Sequence, residues 1–459
     1  MALLPRTVRG EIAPMLRLGA PLALGELGWM AMGIVDTLMA GRLGAAALGA
    51  SSLGNMVVYP VAICATGMLL GMDTLVSQSH GAGDHADSRR TLASGVWLGL
   101  ALTPAVALAI LGLVPVLRAA GANPRVMTLL APYLRALVWG MPGLMLYAAF
   151  RRYLQAVDFA GPVAFVLVSA NLVNLAGNWA LMFGHWGAPP LGLEGSGLAT
   201  SIARTYMAAF LLGAILWRER RTANPPCRVP WRPALARLRR LVVLGLPAAG
   251  QILFEGAVFG ILSALAARLD EVSLAAHSIA LQVIATTYMV PLGIASAAAV
   301  RVGHAVGRKD RAAAATAGWT ALLLGAAFMS AAGVALGTAP RPIARLFIAD
   351  PAVTSLAAVL LRIAALFQLF DGLQTVATGA LRGLGDTRSP MLAHLAGYWV
   401  VGLPVTYALC FPLGWGVRGI WVGLTSAIVI VGVALLTVWA RATRVHGTIG
   451  VPGRNCPDR

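Results

Sequence analysis

The chain has 459 residues, 58% of them hydrophobic and only 11% charged, with a mean hydropathy of +0.78. A soluble domain carries about a quarter charged residues, so a soluble globular enzyme is excluded. The net charge of +18 would point to nucleic acid in a soluble protein. Here the basic residues fall in short connections between apolar stretches, where they orient a membrane protein and touch anionic lipid headgroups; no nucleic-acid partner is expected.

A helix crosses the hydrocarbon with about 20 apolar residues. Twelve such stretches are predicted, near 13–40, 46–77, 92–117, 127–150, 160–184, 192–217, 241–267, 272–300, 313–338, 352–381, 390–413 and 416–440. The first is too long for the core of a cleaved signal peptide and reads as an uncleaved span. With the N-terminus placed inside, the inner connections hold 25 Lys and Arg residues and the outer ones seven. That bias predicts both termini in the cytoplasm. Cys64, Cys227, Cys410 and Cys456 are scattered and form no CxxC pair, so neither a metal framework nor a disulfide framework is implied.

The chain divides at a basic, proline-bearing connection, Arg218–Arg240. The expected organisation is an N-terminal lobe (1–217), a cytoplasmic linker (218–240), a C-terminal lobe (241–440) and a cytoplasmic tail (441–459). The halves echo one another. Leu18-Gly19-Ala20-Pro21 recurs as Leu244-Gly245-Leu246-Pro247, and Leu134-Arg135 as Leu361-Arg362. His80-Gly81-Ala82-Gly83 recurs loosely as His304-Ala305-Val306-Gly307, and Gly192-Leu193-Glu194-Gly195 as Gly416-Val417-Arg418-Gly419. The offsets cluster at 224–227. The predicted fold is therefore an all-α polytopic membrane protein of about twelve spans in two parallel six-helix repeats, a build that works by rocking one half against the other. Pro21 and Pro247 break a backbone bond at equivalent places, which gives either a bend that moves or a static kink.

Three carboxylates carry the functional argument: Asp36, Glu255 and Asp371. An acid at a bilayer centre costs roughly 2.5–3.5 kcal/mol on insertion scales, and such residues mark ion or substrate paths. Asp36 lies about 35 Å along its helix, either as a proton-exchanging group or as a helix-end acid in outer water. Glu255 and Asp371 lie deep in the C-terminal half. They could bind sodium, exchange protons or neutralise an organic cation, or be satisfied by neutral neighbours. Phe367 is one turn from Asp371 and could offer its ring to the same cation. Asn171, Asn174 and Asn178 share a face of the fifth span. They line a cavity beside Asp36 or bond between helices, the commoner role in membranes; Gln282 has the same two readings. Asp73 sits near the inner end of its span, where it could reach water, and Glu26 has no assignable role. There is no GxxxxGK[ST], so ATP is not expected as the energy source, and neither HExxH nor GxSxG occurs.

Val35-Asp36-Thr37-Leu38-Met39-Ala40-Gly41-Arg42-Leu43-Gly44 resembles the first-helix motif of multidrug and toxin extrusion (MATE) transporters of the NorM branch. Ser77-Gln78-Ser79-His80-Gly81-Ala82-Gly83-Asp84 and Gly379-Ala380-Leu381-Arg382-Gly383-Leu384-Gly385-Asp386-Thr387-Arg388 are similar to two further motifs of that family. The resemblance implies a V-shaped, twelve-helix antiporter of a bacterial inner membrane, acting as a monomer without cofactor and expelling small organic cations in exchange for Na⁺ or H⁺. It implies coupling-ion or proton roles for Asp36, Glu255 and Asp371, with Glu255 and Asp371 as Na⁺ ligands. Asn174 and Asn178 fall where that branch has polar residues. Trp29 stands where a polar residue is usual, and Asp73 is similar to acids of eukaryotic members. Two competing readings are a flippase of lipid-linked oligosaccharides, which would want cationic residues in the cavity, and a membrane acyltransferase, which would want a His/Asp pair at one face. His185 and His394 are isolated in sequence and do not supply one.

Overall fold

A computed structural model describes residues 6–121, 123–221 and 231–445. The core of the basic connection, 222–230 with Cys227, and the tail 446–459 with Cys456 lie outside the described residues. The described chain is helical throughout, with no strand. In order, the helices are α1 (Arg6–Arg42), α2 (Ala45–Met68), α3 (Gly71–Gly81), α4 (His85–Ala119), α5 (Pro124–Trp139), α6 (Met141–Ala156), α7 (Gly161–Phe183) and α8 (Leu193–Arg221). The second half continues with α9 (Leu235–Ala266), α10 (Glu271–Gly307), α11 (Arg311–Thr338), α12 (Pro340–Arg345), α13 (Pro351–Leu384), α14 (Arg388–His394), α15 (Leu403–Cys410) and α16 (Gly416–Val445). A π-helical segment, Leu395–Gly402, joins α14 to α15. Eleven stretches are long and apolar enough to cross a membrane, and α5 with α6 makes a twelfth, bent by 42°. All twelve predicted spans are present.

The helix ends follow from local chemistry. Asp84, Asp270, Asp310 and Asp350 each accept a bond from a backbone N–H of the following helix's first turn, satisfying donors that a helix start leaves free. Pro124 and Pro351 begin their helices where a missing N–H is no loss. At one end of the bundle, four equivalent spans stop on a left-handed residue: Gly83 (φ 75°), Asp158 (φ 60°), Lys309 (φ 60°) and Gly385 (φ 93°). Gly83 and Asp84 correspond to Lys309 and Asp310, so the repeat register here is 226. This corrects the offset of 224 read from the His80 and His304 motifs. Gly192 (φ 59°) and Gly416 (φ 57°) match at 224 as expected.

Each half has its own buried core. One runs through α2–α8 and the other through α10–α16. The halves interlock at the end where the left-handed stops lie. Met15, Leu18 and Leu22 of α1 belong to the second core, and Leu241 of α9 to the first. Glycines make these crossings possible, because they let backbones approach without a side chain between them. A Cβ on Gly293 of α10 would meet Ala23 N at 2.5 Å, and one on Gly67 of α2 would meet Ala249 Cα at 2.9 Å. Both partners of these two contacts are related by 226 positions, so the same crossing occurs twice.

Adding a methyl group at such a crossing forces the halves apart. Gly293→Ala should destabilise the protein by about 1–3 kcal/mol, visible as a lower apparent melting temperature in detergent. Gly33→Ala, with nothing within 4 Å of the new Cβ, should be neutral or slightly stabilising. Equal melting temperatures for the two variants would contradict the crossing.

Candidate functional site

Five carboxylates lie inside the spans and fall into two groups by their partners. Glu26 of α1 forms an ion pair with Arg151 of α6. Asp73 of α3 is 1% exposed, and its Oδ2 lies 3.2 Å from Arg152 Nη1 of α6 and 3.3 Å from Arg382 Nε of α13. The possibility that Asp73 simply reaches water is therefore corrected. It is sealed between the halves, where Thr74 also donates to the Arg382 carbonyl (2.5 Å) and Gln78 to that of Gly383 (3.0 Å). Arg151, Arg152 and Arg382, counted above among basic residues of the inner connections, face carboxylates instead of headgroups. The charge bias survives without them.

The remaining three acids have no arginine or lysine ion-pair partner among the described residues. Asp36, 8% exposed, accepts from Asn178 Nδ2 (2.6 Å) and Thr200 Oγ1 (3.2 Å). Asn178 also donates to Asn174 Oδ1 (3.1 Å), and Asn174 donates to Thr200 (3.3 Å). The cluster thus draws on α1, α7 and α8. Asn171 turns aside and donates to the Gly28 and Leu167 carbonyls, so only two of the three asparagines reach the acid. The α1 helix reaches Arg42, which keeps Asp36 within a helix rather than at its end.

In the second half, Glu255 of α9 accepts from Gln251 Nε2 (3.1 Å) and, at 3.4 Å, from the Tyr288 hydroxyl of α10. His394 Nε2 lies 3.7 Å from Glu255 Oε2. Its Nδ1 is 2.8 Å from the Pro390 carbonyl and must donate there. Its Nε2 also faces the Gln251 amide at 3.4 Å, which is satisfied if that nitrogen accepts, so the ring is read as neutral. Asp371 of α13 accepts from Gln374 Nε2 (2.9 Å), which also donates to the Tyr398 hydroxyl (2.9 Å) in the π-helical segment. Such segments often mark functional places. Glu255 and Asp371 lie within electrostatic reach of each other. The Glu255 side chain is 13% exposed and Asp371 as a residue 6%.

Phe367 does not line an open space. It is fully buried and stacks on Trp421, with ring centroids 6.2 Å apart. The one-turn spacing put it beside Asp371, but α16 claims its ring as core. Gln282 is half-buried on α10. Trp29 stacks flat on Tyr147 at 6.2 Å. Thr200, Gln251, Tyr288, Gln374, His394 and Tyr398 were not anticipated. Gln251 and Gln374 were legible as polar residues at i−4 and i+3 from an acid. The other four come from different helices and had no local signal.

This arrangement defines a two-lobed polytopic helical membrane protein whose two lobes each bury acids without an arginine or lysine ion-pair partner among the described residues. The profile of the MatE family matches residues 21–180 and 247–408, two segments whose starts fall at the repeat offset. The chain belongs to the MatE family, whose members are transporters and not enzymes. It is 36% identical over 444 residues to the probable multidrug resistance protein NorM of Mesorhizobium japonicum, covering 95% of each chain. It is 38% identical to the probable NorM of Bradyrhizobium diazoefficiens, again over 95% of each. With the multidrug resistance protein PmpM of Pseudomonas aeruginosa it shares 35% identity over 96% of this chain and 94% of that one. The fold superposes on the eukaryotic MATE transporter AtDTX14 with a TM-score of 0.84 at 19% identity, over 96% of this chain and all of that one.

Breaking the sealed triad should unfold the interlocked end. Asp73→Asn leaves two guanidinium groups facing a neutral amide, and loss of one partner of a buried pair costs about 3–5 kcal/mol. A marked fall in melting temperature is expected. An unchanged melting curve would show that the triad is not structural.

Proposed function

We propose that this protein is a secondary antiporter that expels small organic cations in exchange for Na⁺ or H⁺. The observation that carries the reading is the division of the span acids. Glu26 and Asp73 have permanent guanidinium counter-ions, whereas Asp36, Glu255 and Asp371 have neutral donors. A carboxylate held by amides and hydroxyls retains its appetite for positive charge. A proton, a sodium ion or a cationic substrate can supply that charge and then leave. The names of the relatives, multidrug resistance proteins, support an exported drug or toxin as the cargo.

Glu255 and Asp371 are the proposed ion-binding pair, with Gln251, Gln374, Tyr288 and Tyr398 holding them in place. Asp36, with Asn174, Asn178 and Thr200, is the proposed proton or substrate acceptor of the first lobe. The ion acts by binding one state better than the other, the only way a ligand shifts such a balance. The sealed contacts at one end suit a state open at the other. The charge bias supports an N-terminus, C-terminus and sealed end in the cytoplasm, with the spans in a bacterial inner membrane. A monomer among lipids is part of the same proposal.

Reconstituted protein should drive a cationic dye across the membrane under an imposed Na⁺ gradient or an imposed pH gradient, tested separately. Asp371→Asn should reduce gradient-driven movement by at least about tenfold (≥1.4 kcal/mol) while the protein still inserts and melts normally. Unimpaired efflux by that variant would end the coupling role. A flippase is the second reading. Translocation of a lipid-linked oligosaccharide by the same vesicles, without dye efflux, would favour it.

A further inference from the structure

Arg204 lies on α8 one turn past Thr200, well inside the span. It is 8% exposed, the same as Arg151 and Arg382. Those two each hold a carboxylate and leave only their Nε without a hydrogen-bond partner, whereas Arg204 forms no ion pair among the described residues and both its Nε and Nη1 are buried without one. The acid within electrostatic reach is Asp36, whose two oxygens accept from Asn178 and Thr200, and no ion pair forms between it and Arg204. Tyr133, 2% exposed, is also within electrostatic reach. Helix α8 cannot slide to improve the match. A Cβ on Gly140 would meet Ser201 Oγ at 2.6 Å and one on Gly143 would meet Thr205 N at 2.9 Å, so the bend between α5 and α6 is wedged against this stretch of α8.

A buried charge without a partner is strongly unfavourable, and an ionisable group kept at bilayer depth marks a functional place. A guanidinium presents a planar fork suited to a carboxylate. From these observations we propose that Arg204 anchors an anionic group of the transported molecule, so that the first lobe accepts zwitterions. The cationic end sits at Asp36 and a carboxylate lies on Arg204. The neighbouring negative charge of Asp36 disfavours a dianionic phosphate and selects a singly charged anion. This assignment rests on the efflux reading above for the entry of substrate into the first lobe. It adds a second recognition element of opposite sign.

The test uses two dyes that differ only at one group: a rhodamine with a free benzoate, which is a zwitterion, and its methyl ester, which is a cation. Binding to the purified protein in detergent is followed by fluorescence polarisation. Arg204→Gln should weaken binding of the free acid by at least about tenfold and that of the ester by less than about threefold. Arg204→Lys, which keeps the charge but loses the fork, should fall between and should still discriminate. The proposal is overturned if the unmodified protein does not bind the free acid, or if Arg204→Gln weakens both dyes alike or neither. Should Arg204→Gln not be recovered folded, Arg204→Lys decides: equal effects on the two dyes overturn the proposal, and a selective loss of the acid upholds it. Efflux of the ester from vesicles by the unmodified protein reports separately on the antiport reading, so the two can fail independently.

Discussion

A carboxylate at bilayer depth has to find a counterpart, and the nature of that counterpart organises this molecule. Where it is a guanidinium, the charge is spent on structure. Glu26 on Arg151, and Asp73 between Arg152 and Arg382, tie helices together and close one end of the bundle. Where it is an amide or hydroxyl, the acid is hydrogen-bonded without a guanidinium bound to it. Asp36, Glu255 and Asp371 are of this kind. Both kinds occur within a few turns of each other on related helices, so the distinction comes from partner chemistry and not from depth.

The interlocked end supplies the mechanical frame for these charges. The α1 helix packs through Gly19 and Ala23 on α10, and α9 packs through Gly245 and Ala249 on the α2–α3 span. Each half therefore lends its first helix to the other at one end. Close backbone contact there is reinforced by the Asp73 triad and by the Glu11–Arg301 pair (2.6 and 2.8 Å) between α1 and α10, which together form an interlocked base. The acids lie in separate halves above it. Rocking of the halves would have to break glycine-mediated contacts and a buried ion cluster together, which favours two discrete states over a continuum.

The two lobes share a scaffold and differ in chemistry. Repeat-related positions recur in backbone geometry, as the left-handed stops show. The acids do not recur: Trp29 stands 226 positions before Glu255, and it stacks on Tyr147. The first lobe gathers its donors from asparagine and threonine, the second from glutamine and tyrosine. A buried unpaired arginine is found beside the first cluster, at Arg204.

Hydropathy determined the twelve spans and the acids within them, because a bilayer demands long apolar runs and a carboxylate within one is conspicuous, and recurring motifs gave the duplication. Local spacing brought Asn174 and Asn178 onto one face, and Gln251 and Gln374, each within a turn of an acid, were legible by the same rule but were not picked out. It misled at Phe367, whose ring shares a stripe with Asp371 but is held by Trp421 from a helix some fifty residues on. It misread Asp73 as able to reach water and left Glu26 unassigned, since their arginines lie on other spans. Which acids face a guanidinium and which face neutral donors was decided only by tertiary packing. Hydrogen-bond partners separated by 142 residues for Asp36 and Asn178, and by 33 for Glu255 and Tyr288, meet only when helices pack, and no one-dimensional pattern encodes that meeting.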